Sequence, residues 1–242
     1  MENPISNTKH DSPEALRIYF AGDLWNHKDL IGNKILAEYI QRVSGQAYTC
    51  VVPQDLEQAT KRAVKIRNQD LGRVLECDLA IFNFDGTELD SGTVIEFLYA
   101  KMCDVPCVIV RSDFRTAGDA DKTGDPWNLM CSFYPRTRIF EFNAMSWYQE
   151  AAFAGGSLDE VIERLYTRIA SALVAELDAV LQEPPLHSTE EEMLGLYRWA
   201  TRFPGGGLEK LFSDRKLKSV VRAKRRNHAR INSSIGSVST RS

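Results

Sequence analysis

Apolar and polar positions follow two different rhythms along this chain. Short runs at 17–22, 48–52, 79–84 and 105–110 are apolar at nearly every position, which predicts strands buried on both faces. Between them the apolar residues recur at helical spacing. Leu30, Ile31, Ile35, Leu36, Tyr39, Ile40 and Val43 predict one amphipathic helix over 29–43, and Ala63, Ile66, Leu71, Val74 and Leu75 a second within 56–75. A third helix is expected over 93–103 and a fifth strand over 137–142. Strands alternating with helices imply a Rossmann- or flavodoxin-like α/β sandwich with a mainly parallel sheet of about five strands. Ligands of such sheets gather at the carboxyl ends of the strands. That places Gly22 to Trp25, Pro53 to Asp55 and Phe84 to Glu96 near one another.

From Ser157 the alternation stops. Leu158, Val161, Ile162, Leu165, Ile169, Leu173 and Leu177 predict a long helix to about Gln182, ended by Pro184-Pro185, and 189–202 predicts another. Pro204-Gly-Gly-Gly207 is a hinge or turn, followed by eight basic residues between Arg215 and Arg230 and a Ser-rich end. The expected organisation is a flexible leader over 1–16, an α/β domain over 17–150, a helical extension over 151–203 and a basic, partly disordered tail over 204–242.

Composition adds constraints rather than a function. The chain has 242 residues, 43% hydrophobic and 26% charged, enough to bury a core without metal or disulfides. Its net charge of −3 gives no reason to expect a polyanionic partner for the whole molecule, and the basic tail reads as a solvated helix face or flexible segment before it reads as a nucleic-acid site. Five cysteines and four scattered histidines lack metal-ligand spacing, so the thiols are expected to be reduced core residues. No apolar stretch approaches the ~20 residues of a membrane span, and the polar N-terminus lacks a signal-peptide core. A cytoplasmic protein without metal or cofactor is the expectation.

The chemistry concentrates in Phe84-Asp-Gly-Thr-Glu-Leu-Asp-Ser-Gly-Thr-Val-Ile-Glu96, a strand-to-helix junction with four carboxylates. Glu96, taken to lie in the first helical turn, is either a carboxylate held anionic for attack on a sugar carbon or an acid compensating the helix dipole. Asp90 or Ser91 is equally readable as a helix cap, and Asp85-Gly86 as a turn.

Four blocks in order resemble the nucleoside 2-deoxyribosyltransferases over about 17–145. They are Ile18-Tyr-Phe-Ala-Gly22 with Leu24-Trp25, Asn68-Gln-Asp-Leu71, Asp90-Ser-Gly-Thr-Val-Ile-Glu96 and Pro126-Trp-Asn-Leu-Met130. The resemblance implies a covalent deoxyribosyl-enzyme on Glu96, oriented by Tyr19, with Asp70 contacting the base and protonating the leaving nitrogen. It implies that Asp90 binds a sugar hydroxyl. It further implies that Asn128 and Met130 reach a neighbouring subunit's site in a homo-oligomer, and that Gly22 and Trp25 line the substrate pocket. Trp25 and Phe20 are candidates for stacking on the base. The implied substrates are a 2′-deoxynucleoside and a free nucleobase. The alternatives are an N-glycosidase acting on nucleosides or their 5′-monophosphates, and a non-catalytic nucleotide- or nucleic-acid-binding protein. Asp23 departs from the small uncharged residue common in the family, and Glu88 has no assignable role.

Overall fold

The computed structural model describes residues 14–56, 63–115 and 125–236, with side chains described to residue 231. The leader to residue 13, the first part of the helix expected from Leu56, and the last six residues of the tail lie outside the described residues. Five strands, β1 (Leu16–Ala21), β2 (Tyr48–Val51), β3 (Leu79–Asn83), β4 (Cys107–Arg111) and β5 (Thr137–Glu141), form one parallel sheet in the order β2-β1-β3-β4-β5. This is the flavodoxin-like order, and its switch point falls between β1 and β3. Alternate residues of each strand feed two cores. Ile18, Phe20, Leu79 and Ile81 face α1 (His27–Val43) and α5 (Leu158–Leu181). Tyr19, Ala21, Ala80 and Phe82 face α2 (Ala63–Glu76), α3 (Ser91–Met102) and the C-terminal helices α6 (Glu190–Arg202) and α7 (Asp214–Gly236). A short helix, α4 (Ala144–Phe153), packs against α5.

Two differences from the sequence pattern have clear causes. The helix expected inside an extension, α5, is a full layer of the sandwich, because Ile169, Leu173 and Leu177 bury against the sheet beside α1. The segment expected as a partly disordered tail is helical over Asp214–Gly236. Leu217 and Val221 bury on one side of it, while Arg222 meets Glu190 and Lys216 meets Glu76. Those basic groups are therefore satisfied within the chain. Capping boxes at Ser157/Glu160 and Thr189/Glu192 start α5 and α6 where the sequence places them. All five cysteines are free, and burial pushes the thiols of Cys50, Cys77 and Cys103 up to about 12. No helix among the described residues is long and apolar enough to cross a membrane.

Candidate active site

β1 and β3 stay paired to Ala21 and Phe82 at the switch point, and the loop after β1 turns through Gly22. A Cβ on Gly22 would stand 3.0 Å from Asn83 Cβ, so any larger residue would push on the end of β3. The buried Asn33 of α1 donates to the Asp23 carbonyl at 3.1 Å and fixes the loop that carries Trp25.

Asp90 closes the other side. It is the N-cap of α3, with Oδ2 accepting from Thr93 N at 2.7 Å and Thr93 Oγ1 at 3.0 Å. Its Oδ1 accepts from Trp25 Nε1 at 3.0 Å. Capping and ligand binding are thus compatible, since each uses a different oxygen. Burial works against the Asp90 charge, but the hydrogen bonds from Thr93 and Trp25 outweigh it and hold the carboxyl below its usual range. Trp25 is 82% exposed, so it is available at the mouth rather than in the core. Phe20, in contrast, is buried against α1 and α5 and cannot stack on a ligand.

Glu96 points back toward β1, where Tyr19 Oη donates to its Oε1 at 2.7 Å. The structure corrects one expectation here. Because α3 begins at Ser91, Glu96 lies in the second turn, beyond the strongest field of the helix end. It is not held anionic by the dipole; burial pushes it up to about 7, the Tyr19 hydrogen bond opposes this, and Asp70 and Asp90 raise it further. Asp70, on α2, is pushed up to about 6 by burial. Tyr19 itself is fully buried and its phenol is raised first by burial and then by Glu96 and Asp70, so it stays a proton donor in the hydrogen bond. Asp23, which sequence reasoning flagged only as a departure, joins the same group, raised by burial and by Asp90, Asp29 and Asp85. Among the described residues no lysine or arginine is hydrogen-bonded to Glu96, Asp70 or Asp90.

Asp70 is held by a feature the sequence left unassigned. Arg67 donates to the carbonyls of Pro204 (3.1 Å) and Gly205 (2.9 Å), and the buried Asn68 donates to Gly206 O at 2.9 Å. Gly206 has φ +65, and a Cβ there would collide with the Arg67 guanidinium and Val64. The glycine turn is therefore a clamp on the helix that carries Asp70, not a free hinge. Its partners are 138 residues apart in the chain, beyond any local pattern. Asp85 also resolves: its oxygens accept from Ser112 N, Ser112 Oγ (2.7 Å) and Asp113 N (2.8 Å), tying the loops after β3 and β4 together. Glu88 stays exposed.

Asn128 and Met130 are not joined to this group. Asn128 Oδ1 accepts from Met130 N at 2.9 Å and caps the turn Leu129–Cys131, and Met130 is 75% exposed. Both line an open groove of about 670 Å³ against Val94, Ile95 and Leu98 of α3.

Two carboxyls with raised proton affinity, one braced by a buried phenol and neither hydrogen-bonded to a lysine or arginine among the described residues, suit proton transfer and nucleophilic attack on a cationic carbon. Residues 18–130 match a family model described as nucleoside 2-deoxyribosyltransferase, a span holding every residue named above for the site except the glycine clamp. No curated protein matches the chain. Among solved structures, a conserved protein from Enterococcus faecalis V583 is 22% identical, with a TM-score of 0.44 over 64% of this chain and 99% of that one. A 2-desoxiribosyltransferase from Leishmania mexicana is 26% identical, TM-score 0.42, over 57% and 95% of the two chains. A CMP N-glycosidase from Clostridium botulinum is 14% identical, TM-score 0.38, over 57% and 99%.

Proposed function

Since residues 18–130 match the family model described as nucleoside 2-deoxyribosyltransferase, we propose that the chain exchanges nucleobases on 2′-deoxyribose through a covalent deoxyribosyl-enzyme. The observation that carries this reading is the Tyr19–Glu96 pair at the β1/β3 switch point. Tyr19 occupies Oε1 and leaves Oε2 to attack C1′. As the C1′–Oε2 bond forms, the C1′–N bond breaks and its electron pair goes to the base, which takes a proton from the Asp70 carboxyl. The transition state is oxocarbenium-like, and the cluster of carboxylates at Glu96, Asp70 and Asp90 favours it. An incoming base then attacks C1′, releases Glu96 as carboxylate and returns its proton to Asp70. Two displacements give retention.

Asp90 Oδ1 accepts a sugar hydroxyl once Trp25 Nε1 yields that oxygen, freeing the indole to cover the base. The crowding of Asp23, Asp90 and Glu96 disfavours a phosphate, which supports a neutral nucleoside over a 5′-monophosphate. Asn128 and Met130, exposed along the α3 groove, act in the site of a neighbouring copy, and the protein is a homo-oligomer.

The test is to incubate 2′-deoxyinosine with free adenine and follow deoxyadenosine by chromatography. Wild type forms deoxyadenosine, and Glu96→Ala lowers the rate by about 10⁴-fold or more. Undiminished exchange in Glu96→Ala overturns the mechanism. Free deoxyribose without exchange assigns the chain to hydrolysis instead.

A further inference from the structure

At the amino ends of the strands, opposite the Glu96 site, α7 and the 185–188 loop roof a cavity of about 200 Å³. Its floor is made by residues that precede β3, β4 and β5, namely Asp78, Pro106 and Arg136. Three basic side chains, Arg136, Lys224 and Arg225, line it together with two carboxylates, Asp78 and Asp104, and with His187 and His228; burial lowers the Lys224 pKa, and the Asp78 charge opposes this.

The carboxylates are already committed. Asp104 Oδ1 takes Arg136 Nη1 at 2.7 Å, and its Oδ2 takes Leu186 N at 2.9 Å and His187 N at 3.4 Å. Asp78 Oδ2 takes Arg17 N at 2.9 Å, and Oδ1 takes Asn227 Nδ2 at 2.9 Å. Among the described residues, Arg136 is the one of the three with an ion pair, to Asp104. Lys224 Nζ donates to a neutral acceptor, the Cys77 carbonyl, and Arg225 to the Ser188 carbonyl. The Arg136 side chain is 7% exposed, and its buried Nε has no hydrogen-bond partner. A buried donor without an acceptor is unfavourable, and among the described residues neither Lys224 nor Arg225 is hydrogen-bonded to a carboxylate. The rest of the wall, with Leu16, Leu181, Met193 and Tyr197, is apolar.

We propose that this cavity binds a small organic phosphate monoester, its phosphate against Arg136, Lys224 and Arg225 and its apolar body against Leu181 and Met193. Several oxygens on one dianion match Lys224, Arg225 and the Arg136 N–H better than a single carboxylate does. The volume lies below the ~300 Å³ at which drug-sized pockets begin, so it suits one ring or short chain rather than a whole nucleotide. The site is independent of the reaction proposed above.

Isothermal titration of the full chain with phenyl phosphate, at fixed ionic strength, tests it against phenol and inorganic phosphate. The expected result is one site per chain, with phenyl phosphate at least tenfold tighter than either control. Arg225→Gln and Lys224→Gln each weaken it at least tenfold, and Glu96→Gln leaves it unchanged. Arg225 is exposed, so its replacement keeps the fold and decides the matter even if Lys224→Gln unfolds. No binding by wild type, undiminished binding by Arg225→Gln, or loss on Glu96→Gln overturns the proposal. Equal affinity for inorganic phosphate overturns the apolar part of it.

Discussion

The two ends of the sheet put buried charge to opposite uses. At the carboxyl ends, Glu96, Asp70 and Asp90 stand together with no hydrogen bond from a lysine or arginine among the described residues, and burial lifts the first two to about 7 and about 6. At the amino ends, Asp104 is buried with Arg136 on it at 2.7 Å, and the backbone amides of 186 and 187 complete its shell. Both residues hold left-handed backbone, at φ +54 and +53, a strain the pairing has to outweigh. One end leaves carboxyls frustrated so that protonation is easily changed. The other end uses a carboxylate as a structural pin. Removing a charge should therefore cost activity at the first end and stability at the second.

The largest contrast in stability comes from Asp104→Asn, which keeps a side chain suited to left-handed backbone but strands the Arg136 charge. A loss of about 3–5 kcal/mol in urea unfolding is expected. A loss under about 1 kcal/mol would erase the distinction between the two ends. A smaller, signed effect is expected from Tyr19→Phe. The lost hydrogen bond lets the Glu96 pKa climb above about 7, so the ascending limb of kcat/KM, set by Asp70 at about 6, stays in place, the descending limb moves alkaline by about one unit, and exchange at pH 7 falls about fivefold. An unmoved descending limb contradicts the role of Tyr19.

The wild-type profile is itself informative. Below about 6 both carboxyls are protonated and Glu96 cannot attack; above about 7 both are ionised and Asp70 cannot donate. A bell with its maximum between these values follows, its apparent pKa values belonging to the coupled pair. The smallest effect is Glu96→Gln. A carboxyl raised in the folded state binds more protons there than when unfolded, so stability falls as pH rises from about 4.5 to about 7. Removing the charge should gain on the order of 1–3 kcal/mol at pH 8, read as a higher melting temperature, and nothing at pH 4.

How much of this the sequence carries differs between the ends. The strand runs and the α1 stripe are strong periodic signals, and they suffice for the sheet and its switch point. Tyr19, Asp90 and Glu96 are legible as a motif, though the motif does not say that Asp90 splits its oxygens between Thr93 and Trp25. The amino end is nearly silent. Helix α7 hides its apolar stripe at Leu217, Val221 and the stem of Lys224 among arginines and lysines, so composition masks periodicity. The Asp104–Arg136 pin and the Arg67–Gly205 clamp join residues 32 and 138 positions apart, and no local spacing encodes such pairs.

The central claim is that Glu96 carries the sugar. Rapid acid quench of the protein with excess 2′-deoxyinosine and no acceptor base, followed by peptide mass spectrometry, tests it most directly. The account predicts a mass gain of one deoxyribosyl group on the peptide containing Glu96, lost on adding adenine and absent in Glu96→Gln. Steady base exchange with that peptide unmodified at every quench time, or an adduct on another residue, would contradict it.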